Sequence, residues 1–259
     1  MAGHILHVLL GLAVGALGTL VGAGGGFILM PILLFLYPGG SPDVLTAVSL
    51  AVVFANAASG TVSYAAMGRI DYRSGLLFLL AALPGAAAGA IAVGYVPRDV
   101  FCTIFGVALS AAGALVFARP ESARGEEPDR LRGGRGFNVP FGMLLSFGVG
   151  FASSLLGLGG GIIHVPVMVY LLGFPVHVAT ATSHFVLAGV ALAGTAVHLI
   201  SGSLRGLFPM TGALAIGAVA GAQLGARLSS RVRGTWIMRI LGLALGLVGV
   251  RILLVALWP

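Results

Sequence analysis

Apolar residues form long, nearly unbroken runs along the chain, and short polar groups separate these runs. Apolar runs of about 18 residues or more are long enough to cross a bilayer as helices. The pattern predicts an all-α, polytopic membrane protein with about 8–10 transmembrane segments. The first boundaries between segments are a turn cluster at residues 37–42 and polar loops near residues 68–73 and 97–99.

Two of the apolar runs are interrupted by the same glycine motif. In both copies three consecutive glycines are followed, five residues later, by a proline. The glycines are Gly24, Gly25 and Gly26 in the first copy, and Gly159, Gly160 and Gly161 in the second. Consecutive glycines are poor helix formers, so each motif predicts a broken helix whose second part begins inside the membrane. The alternative is that these small residues only let helices pack closely.

The rest of the second half also repeats the first. A Thr-Ala-x-Ser segment occurs at residues 46–49 and again at 180–183, and Gly85-x3-Gly89 resembles Gly217-x3-Gly221, with Gly225 extending the series. Internal duplication of this kind predicts two structural repeats. We assign a first transmembrane repeat to residues 1–118, a polar linker to residues 119–139 and a second transmembrane repeat to residues 140–259.

The arginines indicate how the repeats are oriented. If each glycine-interrupted run crosses the membrane twice, the repeats are inverted, and ten loop arginines lie on one side against two on the other. If each run crosses once, the repeats are parallel and the count is eight against four. The positive-inside rule favours inverted repeats with a cytoplasmic linker.

Composition narrows the function classes. The mean hydropathy of +1.09 and the 8% of charged residues exclude an ordinary soluble protein. The net charge of +7 comes from arginines that lie mostly in short loops, which is typical of a topology signal and not of nucleic-acid binding. Because Cys102 is the only cysteine, we expect no intrachain disulfide and no thiolate metal site. We also expect no cofactor.

Polar residues follow each glycine motif on a long apolar segment. Ser49 and Asn56 lie on one face of the first segment, and Ser183 and His184 lie on one face of the second. Polar groups in hydrocarbon face the bundle interior or water, so these four residues are candidates for binding a substrate. The alternative for the serines is a hydroxyl that only bonds its own helix.

Two further observations concern the chemistry of that substrate. His164, His184 and His198 lie within apolar segments, where an imidazole is a candidate for proton coupling or a satisfied core residue. The acidic residues, in contrast, lie in loops or at segment ends. Since a carboxylate in the cavity would repel an anion, its absence favours an anionic substrate and disfavours a cationic one.

With these motifs, the chain resembles the TauE/SafE sulfite exporter family of membrane permeases. The resemblance implies a secondary transporter, and not an enzyme, of small sulfur-containing anions such as sulfite or a sulfonate in the cytoplasmic membrane of a prokaryote. We expect the anion to bind between the repeats, at the glycine motifs and the four polar residues above, and to be moved by alternating access. The alternative is an anion channel; the coupling ion and the oligomeric state stay open.

Overall fold

The computed structural model describes residues 2–118 and 139–257, and within these ranges the regular structure is helical. The predicted linker therefore lies outside the described residues, apart from Val139, which begins a helix. The first half contains α1 (Ala2–Val21), α2 (Gly26–Leu36), α3 (Pro42–Ala66), α4 (Tyr72–Ala92) and α5 (Arg98–Ala118). The second contains α6 (Val139–Leu155), α7 (Gly161–Pro166), α8 (Val176–Ser201), α9 (Phe208–Ser229) and α10 (Gly234–Leu257). A π-helical turn, Val167–Leu171, continues α7.

Five helical segments of the described chain are long and apolar enough to cross a membrane. They are His4–Val21, Pro42–Ala66, Tyr72–Tyr95, Val176–Ser201 and Phe208–Ser229. Shorter apolar helices include α2, α6 and the run Gly161–Leu171. Large apolar side chains are exposed on the outer surface, as at Leu80 (63%) and Ile216 (67%), where a lipid environment removes them from water. The predicted class, an all-α polytopic membrane protein, is confirmed.

The helices α3 and α8 form an antiparallel pair at the centre of the bundle. Gly194 of α8 lies against Leu50 near the start of α3, whereas His184 of α8 lies against Gly60 near the end of α3. The helices α5 and α10 are also antiparallel, since residues that rise in number along α5 meet residues that fall in number along α10. Each of these pairs joins one helix of the first half to its counterpart in the second.

Glycines bring the outer helices into direct backbone contact. Two glycines of α4 face carbonyl oxygens of α6, and two glycines of α9 face carbonyl oxygens of α1. The contacts are Gly85 with Phe147, Gly89 with Phe151, Gly221 with Leu12 and Gly225 with Ala16. In both pairs the residue numbers rise together, so the helices are parallel. Small residues commonly allow such close helix packing in membranes.

These contacts correct one detail of the predicted repeat. Phe147 corresponds to Leu12 in the duplicated sequence, so the glycine that faces Phe147 corresponds to the glycine that faces Leu12. Gly85 is therefore the counterpart of Gly221, and its predicted match to Gly217 is wrong by one helical turn. In α9 a glycine occurs at every fourth position over this stretch, so sequence spacing alone does not fix the register.

Both glycine motifs break their helices, as predicted. The first break separates α1 from α2, and the second separates α6 from α7. At the breaks Gly25 and Gly160 have φ angles of 80° and 107°, and glycine is the residue that adopts such angles without strain. We call the first break, at residues 22–26, the first glycine turn, and the second break, at residues 157–161, the second glycine turn.

Candidate functional site

The two glycine turns touch each other. A Cβ atom added to Gly26 would lie 2.7 Å from the carbonyl oxygen of Leu158 and 2.8 Å from that of Gly157. A Cβ atom on Gly161 would likewise overlap the carbonyl oxygen of Gly22. Side chains are thus excluded from both sides of the contact, and the backbones of the two halves meet directly.

This contact lies halfway along the two longest helices. Gly24 and Gly159 each face the same two side chains, Val53 of α3 and Leu187 of α8. Val53 is near the middle of the 25-residue α3, and Leu187 is near the middle of the 26-residue α8. Residues 22–26 and 157–161 are all buried. A membrane-spanning arrangement of α3 and α8 therefore places the turns near mid-membrane.

Each turn presents backbone N–H groups at the start of a helix. Within the described residues, no backbone carbonyl accepts from the N–H groups of Gly25, Gly26 and Phe27, or from those of Gly160, Gly161 and Ile162. The first N–H groups of a helix have no partner inside that helix, and together with the helix dipole they favour an anion. The turns therefore form a buried surface that is rich in hydrogen-bond donors.

Ser49 and Asn56, two of the predicted substrate-binding residues, bond to the glycine turns. The hydroxyl of Ser49 donates to the carbonyl oxygen of Gly157 at 2.6 Å. The amide of Asn56 donates to the carbonyl oxygen of Gly24 at 3.0 Å and accepts from the hydroxyl of Thr19 at 2.5 Å. In the described conformation these side chains hold the turns in place, and a direct contact with substrate stays a prediction.

His184 belongs to the same network, on the side of the first glycine turn. Its Nε2 atom lies 3.3 Å from the hydroxyl of Thr19, and its ring meets the ring of Tyr64 edge-on, with centroids 5.6 Å apart. The hydroxyl of Tyr64 donates to the carbonyl oxygen of Thr19 at 2.6 Å. Thr19, which the sequence analysis did not single out, is therefore the residue that connects α1, α3 and α8.

A small cavity of about 10 Å³ lies on the second glycine turn. Its lining includes Gly159 and Gly160 together with the polar side chains of Ser146, His164 and Ser183. The hydroxyl of Ser146 lies 3.2 Å from Nε2 of His164, whereas the buried hydroxyl of Ser183 has no hydrogen-bond partner among the described residues. The sequence analysis missed Ser146, because a single serine in an apolar helix has no distinctive pattern.

The three candidate histidines do not line one site. His164 lines the cavity, and His184 bonds on the side of the first glycine turn. His198 lies 14 residues beyond His184 on α8, which is about 21 Å along a helix that rises about 1.5 Å per residue. His198 is therefore near the end of α8 and far from both glycine turns.

The far end of α2 is fixed by an arginine. The guanidinium of Arg98 donates to the carbonyl oxygen of Leu34 at 2.9 Å and to that of Gly40. A positive charge at the carboxyl end of a helix interacts favourably with its dipole. Arg98 thus anchors α2 by its last turn, so that its first turn stays at the contact between the two halves.

Acidic side chains lie away from the site in the described part of the chain. Asp43 and Asp99 are in the first turns of α3 and α5, and Asp71 caps the start of α4, where its carboxylate accepts from the N–H of Ser74. In the described residues the polar groups near the glycine turns are therefore backbone N–H and carbonyl groups, hydroxyls, the Asn56 amide and imidazoles, without a carboxylate. Such a site can bind an anion without a formal positive charge.

Fold and site together define a multi-pass membrane protein with two broken helices that meet near the centre of the bundle. Proteins of this class are transporters, in which discontinuous helices form the binding site. The sulfite exporter TauE/SafE family matches residues 7–252. The chain belongs to the TauE/SafE family of membrane transporters, which confirms the resemblance seen in the glycine motifs.

Curated relatives cover nearly the whole chain. The probable membrane transporter protein YunE of Bacillus subtilis is 30% identical, over 96% of this chain and 97% of its own. The probable membrane transporter protein MJ0441 of Methanocaldococcus jannaschii is 26% identical, over 96% and 95%. The probable membrane transporter protein YfcA of Escherichia coli K12 is 26% identical, over 80% and 74%. No solved structure matches the chain significantly.

Proposed function

We propose that this protein is a secondary transporter of small sulfur-containing anions, such as sulfite or a sulfonate, in the cytoplasmic membrane of a prokaryote. One observation carries the proposal. Two sets of buried N–H groups without backbone acceptors, at residues 25–27 and 160–162, belong to the two glycine turns and the first residues of the helices that follow them. Donors that are fixed before a ligand arrives stabilise negative charge in a low-dielectric site. The printed family description, sulfite exporter, suggests the sulfur oxyanion.

We further propose that the two halves are inverted repeats. Counterpart helices cross antiparallel in the pairs α3–α8 and α5–α10, as expected for a two-fold axis perpendicular to the helices. With antiparallel neighbours joined by short loops, Arg69, Arg73, Arg227, Arg231 and Arg233 lie at one end of the bundle and Arg98 and Arg205 at the other. By the positive-inside rule, the first end is cytoplasmic.

The size of the cavity supports transport by alternating access. A cavity of about 10 Å³ holds about one water, whereas a sulfite ion has four heavy atoms. The described conformation is therefore closed, and the halves must separate for the anion to enter and leave. A channel is the alternative function, and it requires a continuous open path across the membrane.

A flux measurement in proteoliposomes tests the proposal. Purified protein is reconstituted, and uptake of radiolabelled sulfite is measured against increasing external sulfite with and without sulfite inside. A transporter gives saturable uptake that internal sulfite accelerates. Uptake that rises linearly and carries an ohmic current supports the channel, and the absence of any flux of sulfite and of a simple sulfonate rejects both. Repeating the assay with an imposed pH gradient tests proton coupling through His164 or His184.

A further inference from the structure

The two glycine turns are similar in backbone but not in the side chains around them. At the first turn, Asn56 is bonded to the carbonyl of Gly24 and Thr19 is bonded to Asn56, whereas Ser49 is bonded to the carbonyl of Gly157 in the second turn. A Cβ atom on Gly25 would lie 2.7 Å from both a methyl group and the carbonyl oxygen of Val14. The space beside Gly25 in the first turn is therefore filled, and the Asn56 amide and the Thr19 hydroxyl have partners.

The corresponding positions around the second turn are different. Ser183, the counterpart of Ser49, has a fully buried hydroxyl without a partner among the described residues, and so do Ser153 and Ser154. Val190 replaces Asn56 in the repeat, so no amide bonds the turn from that position. A Cβ atom on Gly160 would meet no atom closer than the hydroxyl of Ser153 at 3.2 Å. The second turn has both the room and the free hydroxyls.

His164 adds to this difference. It replaces Leu29 of the first copy, and with the hydroxyl of Ser146 it forms a polar pair beside the cavity. The helical position that corresponds to Ser146 is Gly11, which packs against the backbone of Leu214. The polar groups on this side of the contact are thus additions of the second half, and they surround the cavity.

This inference rests on the proposed function: we propose that the anion is bound by the second half alone. When the halves separate and the cavity beside the second glycine turn widens, the oxygen atoms of the anion accept hydrogen bonds there from Ser183 and the Ser146–His164 pair. The first glycine turn is a closed structural counterpart. Buried hydroxyls without partners are rare in folded proteins because they are unfavourable. Here an oxyanion completes them, and neutral donors select it without attracting a cation.

Substitution of Ser183 distinguishes a hydroxyl that binds the anion from a hydroxyl that stabilises the fold. The Ser183 hydroxyl bonds nothing in the closed conformation, so Ser183→Ala removes no hydrogen bond of the fold. We expect this variant to unfold at the same temperature as the wild type, or higher, but to raise the KM for sulfite by about 10- to 100-fold, because it loses a hydrogen bond to a charged ligand.

Two other buried hydroxyls give matched controls. Thr195 on α8 and Thr211 on α9 are 7% exposed, and their hydroxyls also lack partners, but neither residue lines the cavity. Thr195→Val and Thr211→Val are expected to leave the KM within about twofold of the wild-type value, well below the effect of losing a hydrogen bond to a charged ligand. The variants are compared by radiolabelled sulfite uptake in proteoliposomes, and the unfolding temperature of each is measured in detergent without ligand.

Two outcomes overturn the inference. One is a Ser183→Ala protein that keeps the wild-type KM. The other is a Ser183→Ala protein whose unfolding temperature falls while the Thr195→Val protein is unaffected, since the hydroxyl is then structural. If the wild type transports neither sulfite nor methanesulfonate, the proposed function fails separately. In that case anion binding at the cavity is tested by the unfolding temperature of the wild type with and without sulfite, methanesulfonate or sulfate. If an anion raises the unfolding temperature of Ser183→Ala as much as that of the wild type, binding through Ser183 is rejected.

Discussion

The contact between the two glycine turns gives the sharpest single perturbation, Gly26→Ala. Gly26 is the first residue of α2 and its φ angle is not positive, so alanine is compatible with the backbone. The new methyl group would lie 2.7 Å from the Leu158 carbonyl oxygen, whereas ordinary contact begins near 3.4 Å. The second glycine turn must therefore retreat by about 0.7 Å, the difference between these two distances.

Such overpacking costs about 1–3 kcal/mol, part of which the better helix propensity of alanine offsets. We expect Gly26→Ala to fold, with a small decrease in unfolding temperature. We expect a larger effect on transport. A displacement approaching 1 Å at a preorganised site can reduce its rate about 100-fold, so sulfite flux should fall by about 10- to 100-fold.

The assay is initial sulfite uptake in proteoliposomes with equal amounts of reconstituted protein. The matched control is Gly148→Ala, which adds the same methyl group to α6 at a position with no atom within 4 Å. This control should keep wild-type flux and gain up to about 1 kcal/mol of stability from helix propensity. If Gly26→Ala transports as fast as Gly148→Ala, the contact between the turns is not part of the transport site.

Four further predictions concern the surroundings of the site and the orientation of the chain. Asn56→Leu leaves the buried Gly24 carbonyl without its side-chain donor and the Thr19 hydroxyl with only His184 as a partner, and it should reduce the free energy of unfolding by about 1–3 kcal/mol. The measurement is the unfolding temperature, and an unchanged temperature contradicts the network. Arg98→Gln should raise the KM for sulfite several-fold by loosening α2, and Arg98→Lys should recover part of it; equal values for both variants and the wild type contradict this anchoring role. Gln223→Met removes bonds between α9 and α3 and should reduce the free energy of unfolding by about 0.6–1.7 kcal/mol. Sulfite flux should stay within about twofold of the wild-type value, since Gln223 does not line the cavity; a complete loss of flux would contradict this. A cysteine placed at Ser122 in a Cys102→Ser protein should react with an impermeant thiol reagent in inside-out vesicles only, and labelling in intact cells contradicts a cytoplasmic linker.

The helices and the two helix breaks could be predicted from sequence because they depend on local sequence patterns. Long apolar runs fix helices, and three consecutive glycines break one wherever they occur, so both breaks were placed correctly. The register of Gly85 against Gly221 could not be predicted in this way. This register depends on which turn of α6 lies opposite Gly85 and which turn of α1 lies opposite Gly221. Evenly spaced glycines are compatible with several such registers.

The roles of the polar residues depend on contacts between the halves. Ser49 was predicted to face the site, and it does lie there, but its hydroxyl bonds the Gly157 carbonyl, which is 108 residues away in the chain. Ser183 occupies the equivalent position and has no such partner. Identical residues at equivalent positions therefore differ in role, and only the three-dimensional arrangement distinguishes them. Ser146 was missed for the same reason, since its partner His164 lies across the helix break.

The central claim is that a small sulfur oxyanion crosses the membrane by way of the paired glycine turns. Sulfite counterflow, with wild-type protein and Gly160→Leu reconstituted side by side, tests it most directly. At Gly160 the φ angle of 107° is unfavourable for leucine, and a leucine side chain would fill the adjacent cavity. The account predicts saturable exchange in the wild type that is lost in Gly160→Leu. Equal exchange by the two proteins would contradict it.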